Sequence, residues 1–215
     1  MTSEEFFDIY DDNLVKIGVK RRSQVHRDGD WHRSFHCWVI YRDTAAKDWI
    51  LLQKRAPDKD TYPDLFDISC AGHYSAGEDL ATTALRELDE ELGLKIEFEE
   101  LIRIGLRIAT KKPSPDMIDR EISDVFLLIN DQPLTAYQTN DELTGLARLG
   151  IEDALALCAG EHDEITAEYL SRGEQTITTI KFRLTDFVPT FDHYFYRLLV
   201  VAKRCLNGDQ QHLVI

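Results

Sequence analysis

The sequence predicts an α/β protein. Short β-branched and aromatic runs, "FHCWVIYRD" and "DWILLQKRA" among them, precede a stretch, "GEDLATTALRELDEELGL", whose apolar residues recur at helical spacing. A second helical pattern, "DHYFYRLLVVAKRCLNG", lies near the end. Hydrophobic residues fill 43% of 215 positions, enough for a proper core, so disorder is not the default expectation.

Taken in order, "FFDIYDDNLVKIGVKRRSQVHRDGDWHRSF" reads as a short extended segment, a basic turn or helix, and a histidine-rich end. The two runs that follow read as an antiparallel pair. "FDISCAGH" is another short strand, ending at Gly72. After the helix of residues 78–92, "IEFEELIRIGLRIAT" and "REISDVFLLIN" are strands. The loop between them, "KKPSPDMID", holds two prolines that forbid regular structure. Beyond residue 145 the texture changes. "GIEDALALCAG" is a helix, and Ile180, Phe182 and Leu184 alternate with Thr179, Lys181 and Arg183 as in a half-buried strand. The final helix has Lys203 and Arg204 in its last turn and stops at Asn207-Gly208. No linker rich in Pro, Gly or Ser interrupts the chain. Residues 1–215 are therefore expected to form one domain, with a core near 30–145 and an α/β extension, 146–215, on it.

The formal charge of −14 argues against a broad nucleic-acid or membrane-surface footprint. A phosphate-bearing ligand must then be held by local cations, either metal or a few Lys and Arg. Cys37, Cys70, Cys158 and Cys205 are scattered and form no C-x-x-C pair. The opening "MTSEEFFDIYDDN" lacks the apolar region of a signal peptide, and no run approaches the ~20 apolar residues of a membrane span. A cytoplasmic protein with reduced thiols is the expectation. The oligomeric state stays open, a homodimer included.

On a helical wheel Ala81, Ala84, Leu85, Leu88 and Leu92 share the arc expected to dock on a sheet. Glu87, Glu90 and Glu91 share another, flanked by Arg86, and Gly93 supplies a left-handed stop. Such carboxylates repel by roughly a few tenths of a kcal/mol per pair. A solvated acidic face is the ordinary account of them. Mg²⁺, held by a few carboxylates together with substrate phosphates, is the other.

The full run places Gly72, Glu78, Arg86-Glu87-Leu88, Glu90-Glu91 and Gly93-Leu94 at fixed intervals. It resembles the Nudix box, the signature of Nudix hydrolases, at every defining position. The resemblance implies an α/β/α sandwich around a mixed β-sheet and hydrolysis of a small diphosphate-linked, nucleotide-type substrate. It implies that Glu87, Glu90 and Glu91 bind Mg²⁺ or Mn²⁺, that Arg86 orients them, and that Gly72 lends a carbonyl. Glu78 is read as structural, at the helix N-terminus where negative charge is favoured. The candidate general bases are Glu90, Glu91, Glu121 and Glu142.

Over residues 6–130 the chain is also similar to the isopentenyl-diphosphate isomerase branch of that superfamily, through "VHRDGDWHRSFHCWVI", "LLQKRAPDKDTYP", "CAGH" and "IDREISDVF". That resemblance implies a second metal cluster of His26, His32, His73, Asp119 and Glu121, suited to Mn²⁺ or Zn²⁺. The His26–His32 interval is one residue shorter than in that branch. Arg55 and Lys59 match its diphosphate-gripping residues. For Lys111 and Lys112 two readings stand, a phosphate contact and a solvated pair, and the solvated one is favoured; His36 has no assigned role. The cysteine that isomerisation needs is replaced by Ala71, and Cys70, one residue away in a strand, points to the other face. Hydrolysis is therefore favoured over the two alternatives, an isomerase and a non-catalytic metabolite sensor.

Overall fold

The computed structural model describes residues 4–209 and 211–215. Among them, eleven strands join one sheet. A hairpin of β1 (Phe6–Tyr10) and β2 (Lys16–Arg21) leads into α1 (Arg22–Asp28). There follow β3 (Trp31–Arg42), β4 (Asp48–Arg55), β5 (Phe66–Asp67), β6 (Cys70–His73) and α2 (Leu80–Leu92). The chain continues through β7 (Ile102–Ser114), β8 (Met117–Ile129), β9 (Leu143–Gly150) and α3 (Ile151–Cys158). It ends with β10 (Ile165–Ser171), β11 (Thr178–Phe182) and α4 (Tyr194–Leu206).

Strand β3 organises the site. Its whole inner edge pairs in parallel with β8, from Trp31↔Arg120 to Ile40↔Ile129. Its other edge is shared in succession by β1, β6 and β4, all antiparallel. The sheet is therefore mixed, and the order β11-β10-β9-β4-β3 extends it to one side. Alternation along β3 feeds two cores. Phe35, Cys37 and Val39 meet Ala84, Leu88 and Leu92 of α2 on one face. Trp38 and Ile40 meet α3 and α4 on the other, through Ala154, Leu157, Leu198 and Leu199. Helices thus cover both faces, the expected α/β/α layering.

The antiparallel pairing of β3 with β4 matches the sequence reading, as do α3 and α4. Several local expectations are corrected. "FDISCAGH" is two strands, because β5 joins β4 whereas β6 joins β3. The proline-bearing loop is mostly hairpin. Strands β7 and β8 run on to Ser114↔Met117, and Pro113 is accommodated where the register shifts between Lys111 and Ser114, since it has no N–H to give the ladder. Segment 95–101 is largely irregular, and Leu184 lies beyond β11, exposed. Strands β2, β9 and β10 carried no sequence expectation. Strand β9 runs across residue 145, pairs with β4 along its length, and contributes Ala147 and Leu149 to the α3/α4 core.

The buried face of α2 is turned from the arc the wheel assigned. It buries Thr83, Ala84, Glu87, Leu88, Glu91 and Leu92, while Ala81 and Leu85 are only half-buried. Two of the acids therefore face the sheet. Asp79 caps the helix by accepting from the Thr82 N–H at 2.8 Å. Gly93, at φ 66°, ends it.

Candidate active site

The acidic end of α2 lies against β6. The Ala71 N–H donates to Glu91 Oε2 at 3.0 Å. At Gly72 a Cβ would stand 1.9 Å from Glu87 Cδ, so the absence of a side chain is what lets Glu87 lie there. Arg86 ties the group together. Its guanidinium donates to Glu78 at 3.0 Å, Glu87 at 2.8 Å, Glu90 at 3.2 Å and the His73 carbonyl at 3.1 Å. Glu78 also accepts from the Ser75 N–H and the Thr83 hydroxyl. Glu90 differs from its neighbours, with a side chain 56% exposed. Glu142 pairs with Lys59 at 2.6 Å.

Burial dominates the electrostatics here. It raises Glu91 to about 8, helped by the Glu87 charge, and raises Glu87 to about 7 against the pull of Arg86. The charge of Glu142 adds to both shifts. Two buried carboxyls held side by side, with most of their oxygens turned away from backbone donors, form a site poised for a cation.

A second cluster sits on the other side of β6. The ligand atoms of His26, His32 and His73 lie within 4.8 Å of one another, as do those of His32, Asp119 and Glu121. Among the described residues Glu87, Glu90 and Glu91 do not converge as tightly. His32 Nδ1 faces the Asp30 carbonyl at 3.2 Å, a contact suited to an N–H donor there that turns Nε2 and its lone pair inward. That Nε2 and Asp119 Oδ1, 3.5 Å apart, are both buried without a hydrogen-bond partner. Burial lowers the histidines, His26 to about 4, so their nitrogens are free to coordinate. Burial raises Asp119 to about 7, with the Glu121 charge second. Glu121 is also disfavoured by burial, yet the Lys111 ammonium beside it holds it well below the usual carboxylate range. Three neutral imidazoles and two carboxylates around paired orphan atoms fit a divalent transition ion.

These shifts set a pH dependence. A carboxyl raised on folding binds more protons in the folded state, so stability falls as pH climbs from its ordinary value towards the raised one. The buried histidines act oppositely, but only below their ordinary 6.5. Between pH 6.5 and 8 the metal-free protein is thus expected to lose thermal stability through Glu87, Glu91 and Asp119. Added Mg²⁺ or Mn²⁺ should restore it. Melting curves with chelator and with metal check this, and a flat, metal-insensitive profile contradicts it.

Of the expected phosphate-binding residues, Arg55 donates to Asp67 and Thr61 and Lys59 to Glu142. Residues that sequence reasoning missed also reach the histidine cluster. Phe7 of β1 stacks on His73 and His32, with centroids 4.7 and 5.5 Å away. Arg22, the first residue of α1, has a buried Nε without a hydrogen-bond partner and exerts its charge on all three histidines. His36 is held by the Tyr194 hydroxyl at 3.1 Å. Neither Phe7 nor Arg22 stands in a spaced motif; only the hairpin brings them in. Lys111 is a correction. It is not solvated but lies inside, 2.9 Å from Glu121, whereas Lys112 is exposed. Cys70 lies in the α2 core and Ala71 against the opposite one.

Comparison with known proteins places the chain in a family. A NUDIX domain family model matches residues 30–169. An uncharacterised Nudix hydrolase of Clostridium acetobutylicum is 36% identical over 203 residues, 93% of this chain and 97% of that protein. Nudix hydrolase 3 of Arabidopsis thaliana is 40% identical over 65% of this chain, which spans only 18% of that protein. The isopentenyl-diphosphate Delta-isomerase of Photobacterium profundum is 29% identical over 66% of this chain and 78% of its own. In fold, a MutT/nudix family protein from Enterococcus faecalis superposes with TM-score 0.54 at 13% identity, over 85% of this chain and 65% of that one. No described helix is long and apolar enough to cross a membrane.

Proposed function

The chain belongs to the Nudix hydrolases, and from that premise we propose that it cleaves a phosphoanhydride bond in a small diphosphate-linked, nucleotide-type substrate by attack of water. The observation that carries this reading is the buried Glu87–Glu91 pair against Gly72, tethered with Glu90 through Arg86. In this reading Glu87, Glu90 and Glu91 hold Mg²⁺ or Mn²⁺, and His26, His32, His73, Asp119 and Glu121 hold a second ion. A divalent ion supplies charge neutralisation on the diphosphate and acidifies the attacking water.

The protein's own groups do the rest. Arg86 fixes the directions of Glu87 and Glu90, so the carboxylates need not reorganise during reaction. The Ala71 N–H holds one oxygen of Glu91 in place. Arg55 and Lys59 grip the diphosphate, each released from a carboxylate partner as the more highly charged ligand arrives. The loop that carries Lys59 also borders an apolar cavity of about 920 Å³ lined by Tyr62, Leu65, Phe187, Phe195 and Tyr196. A cavity of that size bordered by the same loop supports a substrate with a substantial organic moiety.

One observation favours a second reading, isomerisation of a prenyl diphosphate: the histidine–carboxylate cluster itself. Against it, Cys70 is fully buried beneath α2, and burial and the Glu91 charge raise its thiol far above the usual range. A screen of nucleoside di- and triphosphates, dinucleotides, sugar nucleotides and prenyl diphosphates with Mg²⁺ or Mn²⁺ separates the two. Phosphate or pyrophosphate release unaffected by thiol-blocking reagents is expected. Double-bond migration abolished by those reagents contradicts the hydrolase.

A further inference from the structure

Lys111 pairs with Glu121, and its remaining N–H donors have no assigned role. Along β7 Arg107 is buried and Ala109 and Lys111 are half-buried, while Leu106, Ile108, Thr110 and Lys112 are exposed, the period-two alternation of a sheet with one covered face. Lys111 stands opposite Asp119 in the β7–β8 register, and the ladder shifts just beyond it, where Pro113 has no N–H to give. Its side chain is only 17% exposed, and its ammonium donates to Glu121 Oε2 at 2.9 Å.

An ammonium has three N–H donors. Glu121 is the one side-chain hydrogen-bond partner of Lys111 among the described residues, which leaves donors unspent in a largely buried place. The next acids in its field are Asp119 and Asp67. Asp67 is itself bound by Arg55 at 2.9 Å. The charge of Asp67 thus acts on Lys111 as well as on the residue proposed to grip the diphosphate. Charge points the same way. Three neutral histidines and two carboxylates balance one divalent ion, and Lys111 adds the positive charge that an anion needs on a chain of net charge −14.

We propose that Lys111 is a diphosphate-binding residue, donating one N–H of its ammonium to a substrate phosphate oxygen while another stays on Glu121. The assignment rests on the hydrolase reading. It separates two adjacent lysines that look alike in sequence, since the exposed Lys112 has no such role.

The test is calorimetric binding of inorganic pyrophosphate to the Mg²⁺-saturated protein. Lys111→Gln is expected to weaken binding about ten- to a hundredfold, Lys111→Arg only a few-fold, and Lys112→Gln not at all. Glutamine can still donate to Glu121 but lacks the charge that holds it ionised. Mn²⁺ affinity is therefore measured alongside: a loss confined to pyrophosphate supports the assignment, and an equal loss of Mn²⁺ affinity overturns it. Wild-type affinity in Lys111→Gln, with the wild type binding pyrophosphate, overturns the assignment and leaves the hydrolase reading intact. Equal losses in Lys111→Gln and Lys112→Gln also overturn it, because they reduce the effect to general surface charge. A wild type that does not bind pyrophosphate overturns both. Substrate kinetics give a second readout: the loss should appear mainly in KM for Lys111→Gln.

Discussion

Replacing Glu91 with glutamine is expected to cut turnover by about two to three orders of magnitude and, in the same protein, to raise its metal-free stability at pH 8. The two effects share a cause. Burial and the neighbouring Glu87 charge push the Glu91 carboxyl from 4.5 to about 8. At ~1.4 kcal/mol per unit, holding it charged costs on the order of a few kcal/mol. Glutamine removes that cost and still offers the Ala71 N–H an acceptor, but it is a poor ligand for a hard cation. Melting curves should therefore show a higher transition without metal and no further gain on adding Mg²⁺. Wild-type turnover, or a lower metal-free melting temperature, contradicts the assignment of Glu91 to a strained metal site.

Gly72→Ala is the second large effect, and its signature is the reverse of an ordinary core defect. The added Cβ would lie 1.9, 2.0 and 2.3 Å from the three terminal atoms of Glu87. These belong to the end of a flexible side chain, so the fold is expected to survive with a modest drop in melting temperature. Glu87 must swing away, however, and turnover and Mg²⁺ affinity are each expected to fall about a hundredfold. A double-mutant cycle sharpens this. In a Glu87→Ala background the glycine change should add little, because the atoms it meets are gone. Additive losses in the cycle would show that Gly72 acts otherwise.

The acidic helix was legible because its information is local. Glu78, Arg86, Glu87, Glu90, Glu91 and Gly93 stand in one continuous stretch of chain, residues 78–93. Its rotation was not, because the wheel weighs hydrophobicity, and nothing in that scale says that Glu91 will accept from a β6 amide. The histidine cluster, spread from His26 to Glu121, was legible only through a resemblance; α1, β3, β6 and β8 must all assemble before its atoms meet. Strand β9, "LTGLARLG", was hidden by its glycines. Gly145 stays a glycine for a long-range reason, since a Cβ there would come within 2.5 Å of the Leu170 carbonyl. The depth of Lys111 was hidden by the prolines that followed it. They signal a loop locally, but the hairpin tolerates one of them at a register shift.

The most direct measurement follows the oxygen atoms. With a substrate found in the screen, Mg²⁺ and heavy-oxygen water, the hydrolase account predicts one solvent oxygen incorporated into one phosphate-bearing product per turnover. That incorporation should be lost in Glu90→Gln and Glu91→Gln proteins that remain folded. Turnover without incorporated solvent oxygen, or with incorporation that persists in both variants, would contradict water attack at the acidic end of α2.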